Sequence, residues 1–179
     1  MRLRKILIGS LPEYVVAGYE FAKQFRKESQ QRQSSLQKAT DLLAGEKPLL
    51  LEIGSGPVKG KNGWTTLDRS EKCDICWDLS KPLPFPENSI SKIYSSHVLE
   101  HFFYPQLTSL LSDCYRVLKP SGIFSVCVPD ASIYVQAYLK PDEFQPKELH
   151  KPAFHYHTKI DYLNYITYMN GQHRHLFDQ

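Results

Sequence analysis

The feature that most constrains this 179-residue chain is a mostly apolar run, residues 49–53, in which Glu52 is the one polar residue and which ends in Gly54-Ser55-Gly56. A run of this kind is typical of a strand buried on both faces, as strands of parallel sheets are. The two glycines allow a tight turn and a close approach of the backbone to a ligand. The sequence therefore predicts an α/β domain whose first strand leads directly into a binding turn.

Four more short apolar segments end in polar residues and are predicted as strands, at 64–67, 74–77, 90–95 and 123–128. Between the last two, Leu107 to Leu118 has helical spacing, with Pro105 near its start and Pro120 and Gly122 beyond its end. Strands that alternate with crossover connections indicate a parallel sheet.

Helices are also predicted outside the strand region. Residues 131–139 follow Asp130, a good helix cap, and a last helix is expected from residue 158 to 169, with Asn170-Gly171 as its stop. Residues 13–44 have helical spacing but a polar centre, which predicts either two helices or one long helix with a solvated centre. We divide the chain into an N-terminal helical segment, 1–45, and an α/β domain, 46–179.

Composition excludes several classes of protein. Hydrophobic residues make up 41% and charged residues 23%, as in ordinary globular domains. The net charge of +3 falls short of the clustered basic stripe of nucleic-acid-binding proteins, so no nucleic-acid partner is expected. No apolar run approaches the roughly 20 residues of a membrane span. The basic N-terminus has too short an apolar stretch for a signal peptide, and a cytoplasmic protein is predicted.

The four cysteines are too few for a disulfide framework. Cys73 and Cys76 form a CxxC pair, but residues three apart on a strand point to opposite faces. We therefore predict small buried thiols rather than a metal site or a disulfide.

Acidic side chains recur where the predicted strands end: Glu52 beside the glycines, Asp68 after the second strand and Asp78 after the third. Ligands of open α/β sheets bind outside these carboxyl ends. Carboxylates suit hydroxyl-rich and amine-bearing groups, so the combination indicates a nucleoside with a ribose diol and an exocyclic amine.

The glycine turn departs from the dinucleotide fingerprint. Lys59 stands where a third glycine is needed, and Asp68 follows Gly56 by 12 positions where about 20 are usual. A full crossover helix barely fits between them. A nucleoside ligand without pyrophosphate, S-adenosylmethionine, is therefore favoured over a nicotinamide cofactor.

Five segments, in order over about residues 48–130, resemble class I S-adenosylmethionine-dependent methyltransferases of the small-molecule branch. They are residues 49–57, 64–68, 73–89, 92–101 and 116–122. This resemblance implies a doubly wound, mostly parallel Rossmann-like sheet of strand order 3-2-1-4-5, flanked by helices. It also implies S-adenosylmethionine as cofactor and S-adenosylhomocysteine as product.

The resemblance also assigns roles to residues of this chain. Gly54, Ser55 and Gly56 would contact the amino-acid part of the cofactor, with Glu52 shaping that pocket. Asp68 would bind the ribose hydroxyls, and Asp78 with Leu79 would meet the adenine. The methionine side near the methyl group would be lined by Ser95, Ser96 and His97.

The catalytic residues follow the fourth strand. His97 and His101 lie four positions apart, near Glu100, and either is a candidate base where the acceptor must lose a proton. The alternative is that they orient the loop. Asp130 is favoured as a helix cap over a base. The C-terminal histidines are predicted to bind no metal, because i, i+2 pairs share a face only on a strand and no cysteine accompanies them; they are His150, His155, His157, His173 and His175.

These features predict a methyltransferase with a small-molecule or glycan-like acceptor. The main alternative is a non-catalytic or incomplete methyltransferase-fold module that works with a partner subunit, and a nicotinamide-dependent oxidoreductase is a remote third. Residues 172–178 resemble the stretch that, in relatives, precedes a further helix and a terminal antiparallel strand pair. An uncovered fifth strand would invite pairing. We expect a homodimer through that edge, a fold-back of the segment after Phe144, or a longer protein.

Overall fold

A computed structural model of the chain describes residues 12–140 and 158–178. Its centre is a five-stranded sheet in the order β3-β2-β1-β4-β5, with all neighbours parallel. The strands are β1 (Leu50–Ile53), β2 (Trp64–Asp68), β3 (Ile75–Cys76), β4 (Ile90–Ser96) and β5 (Leu118–Cys127). The predicted fold class and strand order are confirmed.

Helices flank the sheet: α1 (Glu13–Leu43), α2 (Tyr104–Val117), α3 (Ala131–Leu139) and α4 (Lys159–Tyr168). Short 3-10 turns cover Leu99–His101 and Met169–Gly171. The α1 helix is continuous over 31 residues, and of the two predicted arrangements the structure has the single long helix. Only its C-terminal third reaches the core, through Ser35 and Ala39. No helix in the described ranges combines the length and apolarity needed to cross a bilayer.

The core lies between the sheet and α2. The apolar run of β1 buries Leu51 and Ile53 completely, and α2 buries the face that its spacing predicts, with Leu107, Leu110, Cys114 and Val117. Leu111, which the spacing assigns to the same stripe, is exposed instead. The mostly apolar sequence of β1 is thus explained by its central place between β2 and β4.

Two predicted strands have different bounds in the structure. Only Ile75 and Cys76 of β3 pair with β2, because a turn from Ser70 to Cys73 precedes them and the Trp77 indole then bonds the carbonyl of Pro82. Strand β5 begins earlier than predicted, at Leu118, and its register with β4 shifts between Ile90 and Lys92.

Cys73 precedes β3 rather than lying on it, so the opposite-face argument for the CxxC pair was wrong. The predicted burial holds for Cys73, whereas Cys76 is only half-buried; both are free thiols in the structure. Burial raises the pKa of both Cys73 and Cys76.

The connection from β1 to β2, residues 54–63, contains no helix, in agreement with the short spacing in the sequence. Asp130 caps α3 by accepting a hydrogen bond from Ser132 N at 2.9 Å, as predicted. Thr158 and Asp161 form the expected cap of α4. The predictions for the N-terminal 11 residues and for His150, His155 and His157 fall outside the described ranges.

Candidate functional site

A cavity of about 410 Å³ lies at the carboxyl ends of the strands. Its walls come from the ends of β1, β2 and β4, the segment after β3, the start of α2 and the C-terminal segment; the main lining residues are Gly54, Asp68, Arg69, Trp77, Asp78, Leu79, His97, Val98, His101, Phe103 and Arg174. A larger open depression, about 980 Å³, runs along α1 beside Glu71. We place the site in the smaller cavity, because it collects the strand ends where ligands of such sheets bind.

The glycine turn after β1 forms one wall of this cavity. Gly54 has φ +70°, and a Cβ atom there would lie 2.2 Å from Cγ2 of Val98. The glycine turn and the segment around Val98 can therefore approach each other this closely only with glycine at position 54. Gly56 also has a positive φ, +67°, but a Cβ there would meet no atom within 4 Å.

Asp68, at the end of β2, ties this turn to the sheet. Its Oδ2 accepts a hydrogen bond from Gly56 N at 3.0 Å, and its Oδ1 accepts one from Ser70 N at 2.9 Å. Each carboxylate oxygen has a second lone pair, so the group can still accept from ligand hydroxyls.

Asp78, after β3, lies on the same wall. Its Oδ2 accepts from the guanidinium of Arg69 at 2.8 Å, and its Oδ1 accepts from Ser80 N at 2.8 Å. Partial burial acts to raise the pKa of Asp78, but the hydrogen bonds from Ser80 and Arg69 outweigh it and lower the pKa. The side chain is therefore an anionic acceptor at neutral pH, beside the apolar surfaces of Trp77 and Leu79.

The opposite wall follows β4. His97 has φ +55°, and its backbone N donates to Cys127 O at 3.0 Å, which extends the pairing of β4 with β5. The turn after it buries Glu100 almost completely while the side chains of His97 and His101 stay exposed. His97 Nδ1 lies 3.4 Å from Glu100 Oε1, an ion-pair distance.

The C-terminal segment, more than 70 positions further along the sequence, forms the last wall of the site. Arg174 N and His175 N both donate to the backbone carbonyl of Glu100, at 2.7 and 3.3 Å. The Arg174 guanidinium lies 4.7 Å from the centroid of the Phe103 ring, a cation–π arrangement. This segment then bridges to Asp130, the residue that caps α3, through Phe177.

Residues 61–126 match the family model described as a methyltransferase domain. Over 82 residues the chain is 29% identical to a probable S-adenosylmethionine-dependent methyltransferase of Mycolicibacterium smegmatis. Over 43 residues it is 49% identical to a sterol 24-C-methyltransferase of Pneumocystis carinii. Over this part of its length the chain is therefore similar to S-adenosylmethionine-dependent methyltransferases.

The extent of these matches is limited. They cover 45% of this chain and 31% of the M. smegmatis protein, and 24% of this chain and 11% of the sterol enzyme. The chain thus spans less than a third of the length of either curated relative.

Two solved structures are similar to the chain. A methyltransferase from Archaeoglobus fulgidus has a TM-score of 0.40 at 21% identity, over 83% of this chain and 72% of that one. A second, from Methanococcus maripaludis, has a TM-score of 0.36 at 14% identity, over 61% and 64% of the two chains.

The cavity at the carboxyl ends of the strands brings together six of the predicted site residues. Lining the cavity are Gly54, Asp68, Asp78, Leu79, His97 and His101. The others do not line it: Glu52, Ser55, Gly56, Ser95 and Ser96. Among these, Gly56 acts through its bond to Asp68, and Ser95 is fully buried beneath the strand end.

Sequence reasoning missed several residues of the wall. Arg69 and Trp77 adjoin the predicted aspartates and are found only from the shape of the loops after β2 and β3. Arg174 lies in the Gln172-His-Arg-His tract, which is rich in histidine and resembles a family segment. Neither property predicts a position at the site. The approach of Arg174 to Glu100 depends on the tertiary path of the chain.

Proposed function

We propose that this protein transfers a methyl group from S-adenosylmethionine to a small-molecule or glycan-like acceptor. The observation that carries the proposal is the meeting of Gly54, Asp68 and Asp78 at one cavity on the carboxyl edge of a methyltransferase sheet. In this proposal Asp68 binds the ribose hydroxyls, Asp78 and Leu79 meet the adenine, and the glycine turn admits the amino-acid part. The proposal gives a supporting role, for the glycine turn and the end of β4, to the predicted residues that do not line the cavity: Glu52, Ser55, Ser95 and Ser96.

Methyl transfer from a sulfonium is an in-line displacement with a neutral leaving group, so alignment of the two reactants supplies much of the rate. A base is needed only for an acceptor that must lose a proton. His97 and His101 line the same cavity as the cofactor groups and are the proposed proton acceptors. With either as base, its alanine variant would lower turnover about 100-fold while S-adenosylhomocysteine affinity stays nearly unchanged.

The polar part of the cavity supports an acceptor with oxygen or nitrogen groups. His97, His101, Gln106 and Arg174 provide donors and acceptors there, beside the aromatic ring of Phe103. The match to the sterol enzyme covers only 43 residues and supports no choice of acceptor.

The proposal is tested by calorimetric titration of the full chain with S-adenosylhomocysteine and, separately, with NAD. We expect binding of the first and none of the second. Asp68→Ala should weaken the binding free energy of S-adenosylhomocysteine by about 1.5–3 kcal/mol, the value of a hydrogen bond to a charged group. Glu71→Ala is the matched control, since Glu71 lies outside the cavity and pairs with Lys27 on α1. Tight NAD binding, or equal affinities in both variants, would contradict the assignment.

A non-catalytic module that serves a partner subunit is the second candidate. It shares the cofactor cavity, so binding alone does not separate the two. A chain that binds S-adenosylhomocysteine but methylates no compound in a broad screen of hydroxyl, amine and carboxylate acceptors would favour the module.

We also propose a reducing, cytoplasmic location and a homodimer through β5. The location is supported by the four unpaired thiols, since free cysteines are typical of reducing compartments. The dimer is supported by the exposure of Ile123 and Val126 on an edge strand. The net charge of +3 gives no reason to propose a nucleic-acid partner.

A further inference from the structure

Three side chains with metal-binding atoms converge behind the wall that follows β4. Glu100, His101 and His173 each place one such atom within 4.8 Å of the others. Two of them follow β4 directly, and the third arrives with the C-terminal segment, which bonds the carbonyl of Glu100. The His101 and His173 rings meet edge to face, with centroids 5.1 Å apart.

The Glu100 carboxylate is the most unusual member of the group. Its side chain is 1% exposed, and neither oxygen has a hydrogen-bond partner. Its ion-pair neighbour, His97 Nδ1, lies 3.4 Å from Oε1, beyond the distance of a good charge-assisted hydrogen bond. Buried carboxylates in proteins are normally hydrogen-bonded, paired or bound to a metal ion. The first of these is absent here and the second is weak.

Each of the two imidazole rings contacts a backbone carbonyl through its Nδ1 atom. His101 Nδ1 lies 3.1 Å from the carbonyl of Gln172, and His173 Nδ1 lies 2.6 Å from that of Ile166. A carbonyl can only accept, so each Nδ1 carries the proton in a neutral ring and Nε2 keeps the lone pair. Metal-ligating histidines commonly bond a backbone carbonyl through their other nitrogen in this way.

We propose that Glu100, His101 and His173 bind a divalent transition-metal ion, with Zn²⁺ as the best match. Two imidazoles and one glutamate form a ligand set known from catalytic zinc sites, which leave a further position open. Nitrogen ligands favour Zn²⁺ and Co²⁺ over Mg²⁺ and Ca²⁺, which prefer oxygen. A bound cation would neutralise the buried Glu100 carboxylate.

The placement gives the ion access to the acceptor. His101 also lines the cofactor cavity, and it is the exposed member of the three. A bound ion would supply Lewis-acid chemistry to an acceptor oxygen in the cavity and would make the proton on that oxygen more acidic. With metal on its Nε2, His101 acts as a ligand, and His97 is left as the base.

The test measures metal binding without the methyl donor, so its result is separate from that of the cofactor titration. Chelator-treated full chain is titrated with ZnCl₂ by calorimetry and with CoCl₂ by visible absorption. We expect one ion per chain, d–d bands of bound Co²⁺, and no competition by Mg²⁺. His101→Ala and Glu100→Gln should each weaken Zn²⁺ binding by about 100-fold or more. Loss of a residue that only hydrogen-bonds a ligand typically costs about 10–100-fold, and loss of a ligand itself should cost at least as much.

Two controls address binding elsewhere. His175→Ala removes a neighbouring ring that packs on Tyr104 instead of joining the cluster. The His155→Ala/His157→Ala double variant removes the other closely spaced pair. We expect both variants to keep Zn²⁺ affinity within about threefold if Glu100, His101 and His173 are the ligands. If Glu100→Gln fails to fold by circular dichroism, His101→Ala decides, since that side chain is exposed. Absence of stoichiometric Zn²⁺ binding, unchanged affinity in His101→Ala, or an equal loss in either control would overturn the proposal.

Discussion

At the scale of single residues, Gly54 and Gly56 carry out different tasks in the same short turn. Both have a positive φ, so a side chain at either position strains the backbone by about 1–2 kcal/mol. Only at Gly54 does a side chain also collide with a neighbour, because Val98 packs against it directly. The Val98 contact joins the ends of β1 and β4, the two strands that flank the centre of the site.

This difference predicts unequal effects of two similar substitutions. Gly54→Ala should abolish detectable S-adenosylhomocysteine binding, because the β1 turn and the segment after β4 must separate. Gly56→Ala should leave binding measurable and lower stability only by the strain of its backbone conformation. Calorimetry and thermal unfolding of both variants would check this, and equal losses would show that the Val98 contact is unimportant.

At the scale of secondary-structure elements, the connection from β1 to β2 is a loop without a helix, and Asp74 holds it together with Asp68. Asp74 Oδ2 accepts hydrogen bonds from Gly60 N at 2.8 Å and Thr66 N at 3.0 Å. Its Oδ1 lies 3.4 Å from Lys59 Nζ. Since no helix satisfies the backbone donors of this loop, Asp74 takes that part, and the loop in turn positions Gly54 and Gly56.

Asp74 should therefore stabilise the fold in a pH-dependent manner. Partial burial acts to raise its pKa, but the hydrogen bonds from Thr66 and Gly60 outweigh it and hold the pKa below the ordinary value of 3.8. A lowered folded-state pKa stabilises above the unfolded pKa, and this contribution is lost as pH falls through the folded value. Asp74→Asn should lower the free energy of unfolding by about 1.5–3 kcal/mol at pH 7.

Urea unfolding at pH 7 and at pH 3 would measure this effect. The difference between wild type and Asp74→Asn should shrink at the lower pH, because the Asp74 carboxyl group of the unfolded chain, with its ordinary pKa of 3.8, is mostly protonated at pH 3. Asp41→Asn on the exposed side of α1 is the control and should change little at either pH. A difference that is constant with pH would argue against the charge of Asp74 as the cause.

At the scale of the whole molecule, β5 is an edge strand with uncovered apolar side chains. Ile123 is 51% exposed and Val126 40%. The described C-terminal segment bridges to Asp130, just beyond the strand, and leaves these two side chains uncovered. We expect a concentration-dependent dimer by sedimentation, and an Ile123→Lys/Val126→Lys variant that stays monomeric because charges on an edge oppose pairing.

Phe21→Lys is the matched control for that experiment, since Phe21 is a large exposed residue on α1. It should dimerise like the wild type. A wild-type chain that is monomeric at every concentration would exclude the β5 dimer, and disruption by Phe21→Lys would place the interface on α1.

Several parts of the fold were predictable because local sequence carries them. A strand between two others in a parallel sheet is usually rich in apolar residues, so the mostly apolar 49–53 run predicted β1. Helical spacing predicted the buried face of α2, and Asp130 predicted the cap of α3. The order of glycines and aspartates along the chain predicted which groups meet at the carboxyl edge, because parallel strands bring their ends together.

Only the tertiary structure decided features that depend on a non-local partner. Whether α1 is one helix or two followed from its C-terminal third packing on the sheet, and the length of β3 followed from the turn before it and the Trp77 contact after it. The meeting of Glu100 and His101 with His173 has no sequence signature, because the ligands come from segments more than 70 positions apart. Spacing rules describe side chains that share one helix or strand; the path of the C-terminal segment depends instead on its bonds to Glu100 and Asp130.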